Sequence, residues 1–264
     1  MAAWEWSRMK PFTDTIPKPL TQICGKTIIE HNIEWITEYF DEIFMIVKYK
    51  SECFREYFWD NYQWKKIHYI EQWETSGTGA AILSLDGHID GEFIIVSGDD
   101  LYDEADIIKL IKKPGYATLC KRVDNPELFG IFTCDASGKA TWIIEKPTDP
   151  ITGNLANIGN HKLDSQIFEI LSHIPLSPRW ELEITDLIDI YIREWMYSIV
   201  EATGRWISIG YPWDLLRAND AIIGWYTKTI DKWAIIEPNV SIKWSIYLEE
   251  GVIIKSRTYI DIIV

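Results

Sequence analysis

The feature that most constrains the fold is an alternation of short apolar runs with helical patterns through the first part of the chain. Apolar residues recur at helical spacing between 25 and 40, and a short apolar run follows at 42–49. Further apolar runs at 66–72 and 92–100 end in polar residues. Strands that alternate with helices predict an α/β fold with a doubly wound, mostly parallel sheet, whose ligand binds at the carboxyl ends of the strands.

The end of the chain has a different pattern, in which apolar residues recur every six positions. Hexapeptide repeats are typical of a parallel β-helix, in which each repeat contributes one short strand. A β-meander fits less well, because its side-chain period is two. We therefore predict two domains, residues 1–228 and residues 229–264, the second being the start of a left-handed parallel β-helix. The two repeating series are Ile236, Ile242, Leu248, Ile254 and Ile260, and Val240, Ile246, Val252 and Thr258.

Composition and charge exclude several classes of partner. The net charge is −14, whereas a nucleic-acid surface needs clustered lysine and arginine. Any bound phosphate must therefore be met by a few local cations. No apolar run is long enough to span a bilayer and no secretory signal opens the sequence, so we predict a cytoplasmic protein without a membrane partner. Reduced thiols, rather than a zinc site or disulfides, are predicted for the widely spaced Cys24, Cys53, Cys120 and Cys134.

The opening segment carries the strongest functional signal. Small residues, then Arg8, then the run Pro17-Lys18-Pro19 form the layout of a backbone that wraps a polyphosphate and adds two fixed cations. The stretch "SRMKPFTDTIPKPLTQICGKTIIEH" resembles the N-terminal signature of the sugar-1-phosphate nucleotidylyltransferases almost position for position. This resemblance implies catalytic roles for Arg8, Lys18 and Asp99, in which the two cations neutralise charge on the α-phosphate during nucleotidyl transfer.

The resemblance also implies a nucleotide subsite. Gln72, Gly77 and Thr78 match the family's base-recognition segment. An amide can both donate and accept a hydrogen bond, which suits uracil or thymine. Without the resemblance, Gln72 would be an ordinary polar residue at the end of a strand. The predicted nucleotide-binding residues are Ala2, Ala3, Trp4, Gln72, Gly77 and Thr78.

Asp99 is the predicted metal ligand. A carboxylate that ends an apolar strand can hold a divalent cation beside a polyphosphate, or it can cap the next helix, and position alone leaves the two roles equal. The resemblance favours the first role, because "SGDD" matches the family's strand-end aspartate, a Mg²⁺ ligand. Ser208 stands where the family has a second metal-binding aspartate. Because a hydroxyl is a weak neutral ligand, we expect lower metal affinity.

A sugar pocket is implied by three further matches in the expected order. Gly130 in "LFGIF" would leave room for the sugar ring, and Glu145 in "IIEKP" would accept hydrogen bonds from its hydroxyl groups. Lys146 would meet the sugar phosphate, and Asn157 in "NLANIG" completes the set. A lone Glu-Lys-Pro is more typical of a surface turn. The ordered series is what favours a sugar site.

The sequence also departs from the family pattern. Trp4 and Trp6 replace two glycines of the opening loop, where an indole should obstruct the pocket. Trp59, Trp64 and Trp180 stand where a turn residue belongs. The pattern favours systematic replacement of glycine by tryptophan, through engineering or an error in the recorded sequence. The family also has a central strand ahead of the opening loop, so we expect the first residues to be missing and the neighbouring strands to be left with unpaired backbone groups.

Taken together, the resemblance implies the Rossmann-like fold of the nucleotide-diphospho-sugar transferases and a matching activity. The expected enzyme transfers a nucleotidyl group from UTP or dTTP to a sugar 1-phosphate, with Mg²⁺ as cofactor. An alternative, favoured by Trp4, Trp6 and Ser208, is an impaired relative that binds sugar nucleotides or serves in assembly. Archaeal-type bifunctional members imply a homo-oligomer, with a trimer formed through the β-helix.

Overall fold

A computed structural model of the chain describes residues 6–72, 75–147, 153–194, 196–225, 229–230, 232–243 and 246–260. Within these ranges the α-helices are short. None of the described helices combines the length and apolar character that crossing a bilayer requires. The helices are α1 (Ile28–Ile33), α2 (Ser51–Phe58), α3 (Thr78–Leu83), α4 (Glu104–Lys112), α5 (Ile167–His173), α6 (Ile184–Arg193) and α7 (Asp214–Trp225).

The strands fall into three groups along the chain. The first group is β1 (Gln22–Ile23), β2 (Lys26–Thr27), β3 (Glu42–Val47), β4 (Asn61–Tyr62), β5 (Lys65–Glu71), β6 (Glu92–Ile95) and β7 (Leu101–Tyr102). The second is β8 (Tyr116–Arg122), β9 (Gly130–Cys134), β10 (Ala140–Glu145), β11 (Leu155–Asp164), β12 (Tyr197–Glu201) and β13 (Trp206–Ile207). The third is β14 (Thr229–Ile230), β15 (Ile235–Ile236), β16 (Ser241–Ile242), β17 (Tyr247–Leu248), β18 (Ile253–Ile254) and β19 (Tyr259–Ile260).

The first two groups build two main sheets. In a three-stranded sheet, β3 pairs parallel with β5, and β5 pairs antiparallel with β4. A six-stranded sheet has the order β10-β9-β11-β8-β12, and β6 also pairs with β11. In that sheet β12 runs parallel to β8, whereas β11 runs antiparallel to β6, β8 and β9.

The α/β class is therefore confirmed, but the prediction of a mostly parallel sheet is wrong for the described strands. Parallel neighbours need a crossover of a dozen or more residues, usually a helix. Between β8 and β11, the described part of the chain holds only the β9–β10 hairpin and a single 3-10 turn at Pro126–Leu128. Without a helical crossover in that region, β11 returns antiparallel to its neighbours.

Helices cover both faces of the six-stranded sheet. Residues of α3, α5 and α6 pack on one face, with Leu171 and Leu187 among the fully buried side chains. On the other face α4 packs through Ile107 and Leu110 against Leu119 of β8. Because both faces are buried, polar side chains that could meet a ligand collect at the ends of the strands.

The helix predicted between 25 and 40 is shorter than its apolar pattern. It begins with a capping box, in which Thr27 Oγ1 accepts from the Glu30 backbone N–H and the Glu30 carboxylate accepts from the Thr27 N–H. It then ends at Ile33, and a 3-10 turn follows at Thr37–Tyr39. Ile28 and Ile33 are buried, so α1 covers the core over two turns before the chain bends towards β3.

Beyond residue 228, the described residues form three pairs of two-residue parallel strands. Thr229 pairs with Tyr247, Ile235 with Ile253, and Ser241 with Tyr259. Each pair joins residues three hexapeptides apart. The repeating apolar residues of both predicted series meet in one cluster that includes Ile246, Leu248 and Ile254.

Candidate active site

One cleft gathers the chemistry-bearing residues of several elements. Its volume is about 1100 Å³, and it lies where the carboxyl end of β6, the β9–β10 hairpin and the start of α6 meet. Arg8, Lys18 and Asp99, the three residues predicted to be catalytic, all line it. The same cleft is lined by Thr78, Gly130, Glu145, Lys146, Asn157 and Ser208.

Lys18, Asp99 and Asp100 form what we call the closed end of the cleft. The Lys18 side chain is only 1% exposed. Its Nζ donates to Asp99 Oδ2 at 3.1 Å and to Asp100 Oδ1 at 3.4 Å. Pro17 and Pro19 flank it, and their fixed φ angles limit the freedom of the backbone there. The closed end is therefore a preorganised cluster of charges.

Hydrogen bonds from several elements hold the two carboxylates. Ser97 Oγ donates to Asp99 Oδ1 at 2.5 Å. Asn32 of α1 donates through Nδ2 to the carbonyl oxygens of Ser97 and Asp100, at 3.1 and 2.7 Å, which fixes the backbone of the loop. Trp206 Nε1 donates to Asp100 Oδ2 at 3.2 Å. Asp100 is thus a member of the site that sequence reasoning missed, although it is adjacent to Asp99.

Ser208 lies in the segment that is tied to Asp100. The backbone N–H of Ile209 donates to Asp100 Oδ1 at 2.9 Å, and β13, which ends at Ile207, pairs antiparallel with β7. The position predicted for the second metal ligand is therefore close to the acidic pair. It presents an exposed hydroxyl rather than a carboxylate.

Charge at the closed end is unevenly balanced. Burial works to raise the pKa of Asp99, but the Lys18 ammonium and the Ser97 hydroxyl outweigh it and hold that pKa below its ordinary value. Burial and the neighbouring Asp99 carboxylate raise the pKa of Asp100 to about 6. Two carboxylates therefore share the Lys18 ammonium, and Asp100 is left short of positive charge.

This surplus of negative charge, together with the donor atoms, fits Mg²⁺. Carboxylate and hydroxyl oxygens are the hard donors that Mg²⁺ prefers, and proteins usually hold it with one or two carboxylates plus substrate phosphates. Asp99, Asp100 and Ser208 supply such donors, and a divalent cation would relieve the repulsion that raises the pKa of Asp100. Among the described residues, no group of three or more His, Cys, Asp or Glu is arranged to hold a metal by itself.

Trp6 covers a further side of Lys18. The Lys18 Nζ lies 3.9 Å from the centre of the Trp6 ring, a cation–π contact. The indole also packs against the apolar cluster that contains Met9 and Ile23. Between this ring and the two carboxylates, the Lys18 ammonium has almost no contact with solvent. Obstruction of a ligand by Trp6 remains a prediction.

Arg8 lies at the mouth of the cleft, apart from Lys18. Its side chain is exposed, and its guanidinium stands over the Tyr211 ring at 5.5 Å from the ring centre. Tyr211 in turn stacks on Trp213, with the ring centres 4.6 Å apart. The two predicted cations therefore reach the cleft from different depths.

Two of the predicted base-recognition residues, Gln72 and Gly77, are joined by a hydrogen bond, and the third, Thr78, lines the cleft. Gln72 follows β5, and its Nε2 donates to the carbonyl oxygens of Thr75 and Gly77 at 3.1 and 3.5 Å. Gln72 and Gly77 are not among the residues that line the cleft. Ala2, Ala3 and Trp4 lie outside the described residues.

Gly77 serves packing in a way that only glycine allows. Its φ is +112°, and a Cβ built on it would lie 2.2 Å from the Leu182 carbonyl oxygen. The backbone N–H of Gly79 donates to that same oxygen at 2.8 Å. Gly77 and Gly79 are thereby held against the segment that leads into α6.

Glu145, Lys146 and Arg179 form what we call the open end of the cleft. Glu145 Oε1 lies 3.6 Å from Lys146 Nζ and 3.3 Å from Arg179 Nη2. Gly130 makes room for this carboxylate, because a Cβ there would stand 3.0 Å from Glu145 Oε2 and 2.8 Å from Thr185 Cγ2. These charged side chains are partly exposed, unlike Lys18.

Asn157 faces the cleft from an irregular point of β11. The register of β11 against β8 shifts between Asn157 and His161, and such irregularities re-aim side chains beside functional sites. Its Oδ1 accepts from the Gly159 N–H at 3.0 Å and from Thr118 Oγ1 at 3.2 Å. The acceptor is thus used internally, which leaves the amide NH₂ group as the donor for a ligand.

Arg179 is a second residue that sequence reasoning missed. Its Nη2 lies 2.6 Å from Glu183 Oε1 and 3.5 Å from Glu181 Oε2, in addition to its contact with Glu145. All four side chains line the cleft. The sequence feature that could have indicated this cluster is the alternation of acidic residues in "RWELE". In an extended segment, this alternation places Glu181 and Glu183 on the same side.

Comparison with known proteins identifies the family of the chain. A model of the nucleotidyl transferase family matches residues 1–223, and the chain belongs to that family. The bifunctional protein GlmU of Methanocaldococcus jannaschii is 37% identical over 253 residues, covering 96% of this chain and 60% of that protein. The bifunctional sugar-1-phosphate nucleotidylyltransferase/acetyltransferase of Sulfurisphaera tokodaii is 34% identical, covering 98% of this chain and 63% of that protein.

Solved structures agree at the level of the fold. A crystal structure of UDP-glucose pyrophosphorylase complexed with UDP-glucose has a TM-score of 0.75, with coverage of 84% of this chain and 96% of that one. Its sequence identity is 22%, so this likeness concerns the fold alone. The chain spans about three fifths of the length of the two bifunctional relatives.

Proposed function

We propose that the chain transfers a nucleotidyl group from UTP or dTTP to a sugar 1-phosphate and releases pyrophosphate. The observation that carries this proposal is one cleft with a buried Lys18–Asp99–Asp100 cluster at one end and the Glu145–Lys146–Arg179 cluster at the other. Nucleotidyl transfer needs this combination, since one end must neutralise a polyphosphate while the other positions a sugar phosphate.

The closed end supplies charge neutralisation in the proposed reaction. A phosphate oxygen of the sugar 1-phosphate attacks the α-phosphorus, the new P–O bond forms, and the bond to the leaving pyrophosphate breaks. Lys18 and Arg8 would stabilise the negative charge on the oxygens of the α-phosphate and the leaving group. Asp99 would hold Mg²⁺, with Asp100 beside it and Ser208 in the weaker second position. When bound, that ion supplies Lewis-acid charge stabilisation and orients the phosphates.

Residues at the open end would orient the sugar 1-phosphate in the proposed reaction. Glu145 would accept from sugar hydroxyl groups, and Lys146 would meet the sugar phosphate. Gly130 would keep space for the ring, and Asn157 would donate to the sugar. Arg179 joins these residues through Glu145, so its planar guanidinium can hold the carboxylate in place. The sugar itself and the choice between uracil and thymine are left to measurement.

The nucleotide subsite is proposed to consist of Gln72, Gly77 and Thr78 together with the opening residues Ala2, Ala3 and Trp4. Gln72 donates to Thr75 and Gly77, which stabilises the loop, and its carbonyl oxygen is an acceptor for the N–H of a pyrimidine edge. Thr78 lines the cleft and carries the nearest hydroxyl of this loop.

Pyrophosphate exchange with UTP and with dTTP tests the proposal. We expect the chain to incorporate labelled pyrophosphate only in the presence of the matching sugar nucleotide and Mg²⁺. Asp99→Asn should lower the rate by about two orders of magnitude. Asp86→Asn, an exposed carboxylate after α3, is the matched control and should leave it unchanged. Equal rates in the two variants would contradict the proposal.

A second function is favoured by the contact between Trp6 and Lys18. A ring 3.9 Å from a buried ammonium blocks one approach to it, which suits an impaired relative that binds a sugar nucleotide without turnover. Calorimetry of UTP binding, run beside the exchange assay, separates the two. Binding without exchange, together with activity gained in Trp6→Gly, supports the impaired form. Exchange at a normal rate in the unaltered chain rules it out.

We further propose that residues 229–264 are the start of a left-handed parallel β-helix joined to a catalytic domain of residues 1–228. Support comes from the parallel pairs offset by three hexapeptides and from the shared apolar interior. Such a tail could bring three copies together as a trimer. Sedimentation of the chain with and without residues 229–264 tests this assignment.

A further inference from the structure

Two short segments that line the cleft are anchored in one apolar cluster. The first is the 3-10 turn Ser7–Met9, which carries Arg8, and its Met9 side chain is fully buried. The second lies between β13 and α7 and carries Tyr211, and Ile209 within it is fully buried as well. Met9 and Ile209 belong to the same cluster. The backbones that carry Arg8 and Tyr211 are therefore supported by one close-packed core.

Tyr211 is restrained in its backbone and in its ring. The N–H groups of Gly210 and Tyr211 donate to Asp214 Oδ2 at 2.9 and 2.8 Å, and the Asp214 N–H donates to the Tyr211 carbonyl at 3.0 Å. The Tyr211 ring stacks on the Trp213 ring with 7° between their planes and 4.6 Å between their centres. The ring thus has a defined position even though the residue is 38% exposed.

The Arg8 guanidinium lies over this ring, 5.5 Å from its centre. A cation–π contact acts on the positive charge and does not require the N–H donors of the guanidinium, which can then bind phosphate oxygens. Lys18, in contrast, is held by two carboxylates. Asp214, the acid in the segment of Tyr211, is paired with Arg217. The ring can therefore hold Arg8 without neutralising its charge.

Such a restraint matters because the Arg8 side chain is exposed. A long exposed side chain samples many rotamers, and ordering it when a ligand binds costs conformational entropy. A guanidinium that is already held near its working position loses less. Charge stabilisation in a transition state is strongest when the charged group needs no rearrangement at the moment of reaction.

We propose that Tyr211 is a positioning residue for Arg8, and that its ring holds the guanidinium at the cleft where the α-phosphate of the nucleotide would lie. This inference rests on the proposed function for the role of Arg8 in the reaction. The contact between the two side chains can be measured without any activity, so the two proposals can fail separately.

Nuclear magnetic resonance tests the contact. The probe is the signal of the Arg8 δ-methylene group in a chain isotopically labelled at its arginines, assigned by its loss in Arg8→Met. Protons over the face of an aromatic ring are shielded. We therefore expect this signal at high field in the parent and in Tyr211→Phe, and at the ordinary position for arginine in Tyr211→Leu. A signal that does not move in Tyr211→Leu would overturn the proposal.

Pyrophosphate exchange tests the consequence for Arg8. Tyr211→Leu should lower the rate at saturating UTP or dTTP by about three- to fivefold, the size expected for an exposed cation–π contact. The KM for the nucleotide should change little, because the affected interaction acts in the transition state. Tyr211→Phe, which keeps the ring, should recover most of the loss. Tyr39→Leu is the matched control, since Tyr39 is 42% exposed and is not among the residues that line the cleft.

A double-mutant cycle separates a positioning role from a direct one. In the Arg8→Met background, Tyr211→Leu should cause no further loss, because the ring then has no guanidinium to hold. A further loss of the same size would show that the ring acts on the ligand by itself and would overturn the proposal. If the parent exchanges with neither nucleotide, the proposed function fails, and the resonance measurement alone decides whether Tyr211 holds Arg8.

Discussion

The two ends of the candidate active-site cleft differ in how they hold their charges. At the closed end, Lys18 is buried and fixed between Asp99 and Asp100. At the open end, Arg179 and Lys146 share Glu145 while remaining partly exposed. Buried charges keep one geometry and act strongly, because water screens them little, whereas exposed charges adapt and act weakly. The contrast is consistent with the proposed reaction, in which the closed end neutralises phosphate charge and the open end orients the sugar.

The largest effect is expected at the closed end. Lys18→Met removes the buried ammonium that contacts Asp99 and Asp100, and we expect the exchange rate to fall by about two to three orders of magnitude. Lys112→Met, at the exposed end of α4, is the matched control and should keep the rate of the parent. Circular dichroism confirms that each variant is folded. A folded Lys18→Met protein with near-normal exchange would show that the closed end is not where catalysis occurs.

A smaller effect is expected at Asp106 of α4, which is not among the residues that line the cleft. This buried carboxylate accepts from the N–H groups of Thr203 and Gly204 at 3.2 and 2.7 Å and pairs with Lys109 at 2.8 Å. Burial works to raise its pKa, but these partners hold the pKa below its ordinary value. Asp106→Asn should therefore lower the free energy of unfolding by about 2 kcal/mol at neutral pH.

The sign of the pH dependence follows from that lowered pKa. The unfolded chain titrates near the ordinary value of about 3.9, so the stabilisation is present above that pH and is lost as the pH falls through the lower folded value. Urea unfolding of the parent and of Asp106→Asn should differ at neutral pH and converge in acid. A difference that grows on acidification would contradict the assigned interaction.

At the open end, the expected effect is on binding rather than on turnover. Arg179→Ala should raise the KM for the sugar 1-phosphate by about tenfold with kcat nearly kept, because the residue orients Glu145 from a partly exposed position. Arg193→Ala, on the exposed part of α6, is the matched control. Arg179→Lys should restore little of the affinity for the sugar 1-phosphate, since an ammonium cannot hold two carboxylates in a planar fork. A fall in kcat alone would place Arg179 in the chemical step.

The sequence predicts the cleft better than it predicts the sheet. The order of the sequence motifs is enough to predict that four residues far apart in the chain share one cleft: Arg8, Lys18, Asp99 and Glu145. The direction of β11 cannot be predicted from its sequence, because an apolar run is compatible with either a parallel or an antiparallel neighbouring strand. The choice depends on the connections between strands, and periodicity does not contain that information.

Arg179 and Asp100 were missed for a different reason. A single arginine or aspartate in a polar stretch has no periodic signature, and its role appears only when the fold brings partners to it. Gln63 and Trp64, in contrast, could be anticipated as a turn. They join β4 to β5 with φ of 46° and 69°, the two positive angles of a tight hairpin connection. Such a connection ordinarily places glycine at the second position, which is where the tryptophan stands.

The smallest effect is expected at Trp180, in the turn that carries Arg179. Trp180 has φ of 60° and its side chain is 80% exposed, so the backbone strain is offset by little packing. Trp180→Gly should raise the free energy of unfolding by about 1 kcal/mol, as measured by thermal melting. Trp35→Gly is the matched control: Trp35 is also exposed but is absent from the residues with positive φ, and its replacement by glycine should not stabilise. If Trp180→Gly destabilises the chain to the same degree as Trp35→Gly, the indole makes contacts that outweigh the strain, and the open end is more rigid than its exposed charges indicate.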